Sequence, residues 1–471
     1  MMMRIGKVLS GATTNYVEVR LERTDINVED LVIIEDTERQ RKLLGVIRGI
    51  TLYNPAYARH QAREITTDIQ LAREYFEYAN AFVEILGEIK SAFKPYNTYP
   101  PPPATPVYKL TEKYNLQIQP KQPINVGYHK YTKLPIPLDA EQVVCHIGVF
   151  GATGTGKTTT CRRLAYELYN AGYSVIIFDH TGVDYTPYFP QENIVKGDEI
   201  ILDAEVIAEI ICRLANLYND IEKFEVVCGW YQEAVNEGKK KWSEFTEKFT
   251  EYFTTKKTGA TKKLYVYDYT LEKYKFRMKK VEKAFLEKLD NRKYKPEDIV
   301  RKALENGLLI VDLSTEWLEA RQSIIAWVLR KTWEMIEKNR RPIDEISQRR
   351  GLIFLIDEAQ NYCPARGNPP SKYWIIKTAR EGRKWKLSII IASQRYTADI
   401  DPQIRENLGT LFFSRLQTKQ DIEEIKKNID LGYTSTSSLF CLDRGDFFIA
   451  GLMNPLRKPL LIHINPFPVK P

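Results

Sequence analysis

Apolar residues along this chain change their spacing three times. Between residues 4 and 53 they come in short β-rich runs, over 5–9, 16–21, 31–34 and 43–52, divided by turn material such as Ser10-Gly-Ala and Thr24-Asp-Ile-Asn. Four strands at a spacing of about 8–12 residues predict a small β-barrel. Residues 56–93 follow a helical pattern that ends at Lys94-Pro-Tyr-Asn-Thr-Tyr-Pro-Pro-Pro-Pro-Ala-Thr-Pro106, and that stretch predicts a stiff extended surface linker. Further short strands are expected over 107–138, running through Leu134-Pro-Ile-Pro-Leu-Asp139 toward a buried strand at 147–150.

From there the pattern alternates between fully apolar runs and helical repeats. Strands are expected at 147–150, 174–179, 308–313, 351–356, 387–392, 410–414, 447–450 and 460–464, with helices over 159–168, 316–338 and 373–381. Apolar runs on both faces belong to parallel strands covered by helices. The stretch 200–305 interrupts this order. It is mostly helical, aromatic and basic, with candidate helices at 204–218, 242–253 and 271–289. The expected fold class is therefore α/β: a RecA-like P-loop core preceded by a small β-barrel and carrying a helical insertion. The expected segments are 1–55 for the barrel, 56–120 for a helical piece and the Pro-rich connector, 121–200 for the first part of the core, 201–305 for the insertion and 306–471 for the second part.

Composition narrows the setting. The 471 residues are 43% hydrophobic and 28% charged, as in a soluble globular protein of two or three domains. No run approaches the roughly 18 apolar residues of a membrane span. The start Met1-Met-Met-Arg-Ile-Gly has no signal-peptide layout, so a cytoplasmic setting without membrane contact is expected. Cys145, Cys161, Cys212, Cys228, Cys363 and Cys441 are scattered, which argues against a disulfide framework and a zinc site. A formal charge of +8 permits nucleic-acid binding without requiring it. Two lysine clusters, Gly238-Lys-Lys-Lys-Trp242 and Lys256-Lys-Thr-Gly-Ala-Thr-Lys-Lys263, are candidates either for phosphate contact with base stacking or for solvated faces.

The strongest chemistry is Gly151-Ala152-Thr153-Gly154-Thr155-Gly156-Lys157-Thr158, with Thr159 following, which satisfies G-x-x-x-x-G-K-[ST] between a strand and a helix. Its glycines let the backbone wrap a phosphate, and the helix N-terminus adds positive potential. Lys157 is expected on the β- and γ-phosphates and Thr158 on Mg²⁺. A second signal is the run 351–356 closed by Asp357 and Glu358. Asp357 is expected to hold Mg²⁺ through water, and Glu358 to take the proton of the attacking water. Asp179 and Asp184, at the end of run 174–179, are candidates for the nucleotide edge or for ordinary capping. Gln394, at the tip of run 387–392, is a candidate γ-phosphate sensor. Arg380 and Arg383 are candidates for an arginine supplied to a neighbouring subunit's nucleotide, or for plain surface arginines or partners of local acids. A guanine-specifying N-K-x-D and an L-S-G-G-Q segment are both missing from the sequence. The long interval from Lys157 to Asp357, with strands continuing after it, suits a motor core better than a small kinase.

At these residues the chain resembles the HerA branch of the HerA/FtsK superfamily, archaeal hexameric DNA translocases. The resemblance rests on Ile5-Gly-Lys-Val-Leu-Ser-Gly-Ala-Thr-Thr, similar to the opening of the family's HAS-type barrel, and on Ala152-Thr-Gly-Thr-Gly-Lys-Thr. It rests further on Ile177-Phe-Asp-His-Thr-Gly-Val-Asp-Tyr185, on Tyr373-Trp-Ile-Ile-Lys-Thr-Ala-Arg-Glu-Gly-Arg-Lys-Trp385 and on Ile391-Ala-Ser-Gln-Arg395. It covers about 1–55 and 120–465, with 200–305 matched in general character. The resemblance implies a homo-hexameric ring that hydrolyses ATP with Mg²⁺ and moves double-stranded DNA through its pore, working with a NurA-like nuclease in end processing and break repair. It implies nucleotide and Mg²⁺ binding by Lys157 and Thr158, metal and general-base work by Asp357 and Glu358, phosphate sensing by Gln394, and a finger at Arg383 or Arg380. The chain departs from the family pattern in the Ala-Gln-Asn-Tyr after Glu358 and in His180-Thr-Gly-Val-Asp184. Its end at Pro471 leads to the expectation of a shorter C-terminal region than in relatives. Two other functions share most of these motifs: an ATP-switched ring scaffold for a nuclease, and a viral or plasmid DNA-packaging or conjugation ATPase.

Overall fold

The computed structural model describes residues 2–54, 77–256, 261–416, 418–435, 437–440 and 442–467. The chain divides into two compact units, one of residues 1–171 and 390–469, the other chiefly of 172–389.

The first unit begins with the barrel. Its strands follow the order Tyr16–Leu21, Met3–Val8, Pro106–Lys109, Leu31–Asp36, Arg41–Tyr53 and Tyr78–Ile89, and the last pairs back with the first, so six strands close on themselves. Alternate residues point inward, and Ile5, Val17, Val19, Val32, Ile34, Leu43, Ile47, Ala81, Val83 and Val107 fill the interior. The barrel thus extends beyond the 1–55 expected for it. Residues 78–89, expected to be helical, form its longest partner strand, pairing with Arg41–Tyr53 and Tyr16–Leu21. Cross-strand burial outweighs a weak helical periodicity here. Residues 56–76 of that helical expectation lie outside the described residues. The Pro-rich stretch is no loose connector either. Arg41 donates to Asn97 Oδ1 at 2.9 Å and to Tyr99 O at 2.6 Å, pinning the stretch to the barrel, and Pro106 opens the closing strand.

One buried ion cluster ties the barrel to later parts of the same unit. Arg48 reaches Glu29 at 2.6 Å and Glu84 at 2.8 Å and donates to Pro459 O at 2.7 Å. Beyond the barrel, the P-loop strand Ile147–Phe150 lies parallel between Leu387–Ser393 and Thr410–Phe413. Asp446–Gly451, Leu460–Ile464 and Gly127–His129 then extend this sheet antiparallel.

The second unit holds four parallel strands in the order Ile194–Lys196, Leu308–Asp312, Ser174–Asp179 and Leu352–Ile356, all apolar in their middles. Its helices include Leu318–Asn339 and Pro370–Glu381, joined where Trp333 Nε1 donates to Thr378 Oγ1 at 3.1 Å. The insertion is helical as expected, in helices Ala204–Leu214, Ile221–Asn236, Asp268–Met278, Lys283–Asp290 and Pro296–Asn306. The single helix expected over 271–289 is two, separated at Lys279–Glu282. The stretch 242–253 is a chain of short helical turns whose Trp242, Phe245 and Phe249 form the insertion's own core.

Candidate nucleotide site and acidic strand edge

The phosphate loop of the first unit owes its shape to backbone freedom. Gly154 and Gly156 sit at φ of +79° and +103°, where a side chain would be strained. Thr155 stiffens the turn by donating its hydroxyl to Ala152 O at 2.8 Å. The helix Lys157–Asn170 starts immediately afterward with Gly156 as N-cap, and no side chain caps it. Its terminal N–H groups and dipole therefore favour an anion at the loop. Lys157 is buried and its ammonium donates to Gly151 O at 2.9 Å and Ala152 O at 3.2 Å, which holds the charge over the loop. Thr158 and Thr159 are half-buried in the first turn, while Thr153 and Gly154 form the exposed crest.

Gln394 belongs to the same unit. Phe150 and Ser393 are register partners in neighbouring parallel strands, so the residues that follow them, Gly151 and Gln394, leave the sheet side by side at its carboxyl edge. Two arginines unremarked in the sequence also flank the loop. Arg415 O accepts from Ala152 N at 2.9 Å, and the N–H of Gly445, next to Arg444, donates to Thr155 O at 2.9 Å. Both arginine side chains are exposed.

In the second unit three aspartates stand at the carboxyl ends of adjacent parallel strands: Asp312, Asp179 and Asp357. They serve different ends. Asp179 is fully buried. Its Oδ1 accepts from Thr181 N, Thr181 Oγ1 and Gly182 N, and its Oδ2 from Tyr185 N, Thr186 N and Thr186 Oγ1, over 2.8–3.3 Å. This carboxylate organises the 180–186 loop. Asp184 takes the Thr181 hydroxyl at 2.6 Å within the same loop. Asp312 holds Ser314 through its N–H at 3.0 Å and its hydroxyl at 2.6 Å.

Asp357 is oriented from two sides. The Tyr185 hydroxyl donates to its Oδ2 at 2.8 Å and the Glu358 N–H to its Oδ1 at 2.8 Å. Glu358 itself stands at φ +49°, ψ +44°, a left-handed conformation costly for a non-glycine residue. Strain of this kind persists where surrounding structure imposes it, and here it turns the carboxylate out of the strand direction. Gln360 donates its amide to that carboxylate. Beside the pair, His180 Nδ1 meets the Tyr362 hydroxyl at 2.7 Å, and Arg321 donates to His180 O at 3.0 Å. Burial, reinforced by the Arg321 charge, holds the His180 imidazole below its ordinary pKa, so it is neutral at pH 7. Burial likewise pushes the Tyr362 phenol well above its usual range.

Sequence spacing points to Asp357 and Glu358 but not to Tyr185, His180, Arg321 or Tyr362 in these roles. Tyr185 closes the segment 177–185, yet its sequence neighbours do not show that its hydroxyl reaches an acid 172 positions further on. Arg380 and Arg383 are exposed, on the end of helix Pro370–Glu381 and the 3₁₀ turn Gly382–Trp385, and neither forms an ion pair among the described residues. Of the two alternatives, local pairing is not seen among the described residues, and a plain surface position fits their exposure as well as a role toward a neighbour. Thr158 in the first unit and Asp357 in the second each carry a hard oxygen of the kind Mg²⁺ prefers, and among the described residues there is no His/Cys/Asp/Glu cluster that would hold a metal ion by itself. No helix among them is long and apolar enough to cross a membrane.

A glycine-bent loop with a buried lysine, opening a helix at the carboxyl edge of a parallel sheet, defines a P-loop NTPase with an N-terminal β-barrel. Residues 124–332 match the family model described as helicase HerA, central domain. The chain is 24% identical to the DNA double-strand break repair helicase HerA of Sulfurisphaera tokodaii over 99% of this chain and 93% of that protein. It is 25% identical to the protein of the same name from Sulfolobus acidocaldarius, over 99% of this chain and 94% of the other. Over nearly its whole length the chain is thus similar to helicases named HerA. Among solved structures, VirB4 of Thermoanaerobacter pseudethanolicus aligns with a TM-score of 0.48 at 15% identity, over 74% of this chain and 98% of that one.

Proposed function

We propose that this protein is a Mg²⁺-dependent ATPase that drives translocation or unwinding of double-stranded DNA as a homo-hexamer, working with a NurA-like nuclease on DNA ends during break repair. The observation that carries the reading is the oriented acid pair. Asp357 is held by Tyr185, and Glu358 is turned out by a strained backbone, in a chain that also presents a complete P-loop. Lys157 and the loop N–H groups bind the β- and γ-phosphates. Thr158 and Asp357 would hold Mg²⁺, which when bound offsets charge building on the phosphate oxygens. Glu358 accepts the proton of the attacking water, and Gln394 senses the terminal phosphate. The unpaired Arg383, or Arg380, serves the nucleotide of an adjacent subunit, so hydrolysis depends on ring contact.

The full-length alignment to two break-repair helicases supports the DNA side of the reading, and the exposed, unpaired arginines support the ring. The test is ATP hydrolysis with and without duplex DNA, alongside mass in solution with ATP. Hydrolysis stimulated severalfold by duplex, by a six-subunit species, is expected. An unchanged rate would remove the motor and leave the ATP-switched scaffold.

A further inference from the structure

Three described lysines of the two clusters singled out in the sequence are neutralised by acids. Lys239 pairs with Glu237, Lys240 with Glu251, Lys262 with Glu233, and the aromatic next to the first cluster, Trp242, is buried. The unexplained aromatics lie just downstream. Tyr265, Tyr267, Tyr269 and Phe276 are 40%, 72%, 82% and 65% exposed, an unusual density of solvent-exposed rings in one short segment of a charged helical region. Their exposure follows from how the segment is held. Val266 points inward, so Tyr265 and Tyr267 point out together, their ring centroids 5.6 Å apart. In helix Asp268–Met278, Tyr274 and Met278 are buried, and the Tyr274 hydroxyl donates to Asp220 Oδ1 at 2.7 Å. Lys273 adds a second bond to Asp220 at 2.9 Å. That anchoring turns Phe276 outward, and Phe276 shares a helical face with Tyr269, seven residues earlier.

The charge around these rings is strongly net positive. Residues 261–283 contain eight Lys and Arg against three Asp and Glu. Lys262, Lys273 and Lys275 are paired, while Lys263, Arg277, Lys279, Lys280 and Lys283 form no ion pair among the described residues. Rigidly presented rings interleaved with unneutralised cations match a strand whose bases are free to stack and whose phosphates need counter-charge. A paired duplex has no base faces to offer, and an acidic protein surface would engage the cations while leaving the four rings bare.

We propose that Tyr265, Tyr267, Tyr269 and Phe276, with Lys263, Lys279 and Lys280, form a binding surface for an unpaired nucleic-acid strand on the helical insertion. This rests on the reading that the protein works on DNA and adds to it a place for a strand separated from its complement. The experiment uses the full chain. Binding of a fluorescein-labelled oligo-dT is followed by anisotropy without nucleotide, for the wild type, a Tyr267→Ala/Tyr269→Ala/Phe276→Ala variant and a Lys263→Ala/Lys279→Ala/Lys280→Ala variant. Duplex-stimulated ATP hydrolysis is measured on all three.

The aromatic variant is expected to bind oligo-dT at least about tenfold more weakly, with its thermal midpoint and duplex-stimulated hydrolysis kept, since the rings support no core. The lysine variant is expected to lower the slope of log affinity against log salt by roughly 0.7 for each phosphate that is no longer neutralised. Oligo-dT affinity unchanged in the aromatic variant overturns the proposal, as does a wild type that hydrolyses with duplex yet does not bind oligo-dT. If duplex fails to stimulate the wild type while oligo-dT binds through these rings, the motor reading falls and the strand site stands.

Discussion

Replacing Tyr185 by Phe removes one oxygen from a fully buried side chain and nothing else. That oxygen donates to Asp357 Oδ2 at 2.8 Å, and the Glu358 N–H holds Oδ1. A hydrogen bond to a charged group contributes about 1.5–3 kcal/mol, and a buried acceptor that loses its donor costs about 1–3 kcal/mol. If the full amount is lost from the transition state alone, kcat falls by roughly 10- to 150-fold. Because Glu358 N still restrains Asp357, the lower part of that range is expected, about 10- to 30-fold. Nucleotide affinity should change less than about twofold, since the phosphates rest on the P-loop and Lys157. For a unit of this size each kcal/mol of lost stability lowers the midpoint by about 2–4 °C, so a fall of roughly 2–12 °C accompanies the kinetic effect. Phosphate release at saturating Mg²⁺–ATP and duplex, binding of a fluorescent ATP analogue and calorimetry measure the three quantities. A kcat within twofold of wild type would refute the argument that Tyr185 sets the orientation of Asp357. A loss confined to nucleotide affinity would refute it equally.

Four other outcomes are expected. Lys157→Ala loses most nucleotide affinity, read by the same fluorescent analogue, and normal binding by that variant contradicts the P-loop assignment. Arg383→Ala binds ATP and assembles but does not hydrolyse it, and mixing it with Glu358→Gln restores part of the activity; no recovery on mixing speaks against an arginine acting across subunits. Asp179→Ala leaves five loop donors without their acceptor, the Thr181 hydroxyl keeping Asp184, and should cost about 3–5 kcal/mol in denaturant unfolding, whereas a cost under about 1 kcal/mol would mean the loop holds its shape by other means. Burial, with the Arg48 charge adding to it, lowers the His129 pKa to about 3. The folded state therefore stays neutral there while the unfolded chain takes up a proton below about 6.5. This group's stability is complete above about 6.5 and falls as pH drops, by about 1.4 kcal/mol per pH unit between roughly 6 and 5. His129→Gln should flatten that slope, and identical slopes for variant and wild type would show that His129 is not the source.

The features legible in the sequence are those set by local rules. The P-loop announced itself because a phosphate wrap demands glycine at positive φ, and Gly154 and Gly156 adopt it. The acid strand was visible because an apolar run buried on both faces has to end at the sheet edge. What the sequence hid depends on partners far along the chain. Residues 78–89 carry a pattern compatible with a helix, and only pairing with 41–53 and 16–21 makes them a strand. Asp179 and Asp357 look alike at the ends of apolar runs. One is enclosed by its own loop and the other is held by Tyr185, 172 positions away, so their roles separate only in three dimensions. The aromatics of 242–253 and 265–276 have similar composition, yet Trp242 is buried and Tyr267 is bare.

The closed barrel has a consequence for recognition. An open sheet offers a row of unpaired main-chain groups to which a partner can add a strand in almost any sequence context. In this barrel Tyr16–Leu21 already meets Tyr78–Ile89, so each of the six strands has both neighbours. A protein that docks there has to read side chains and loop tips. Its specificity is then written in residues that can change one at a time, and related chains can exchange one partner for another while keeping the same barrel.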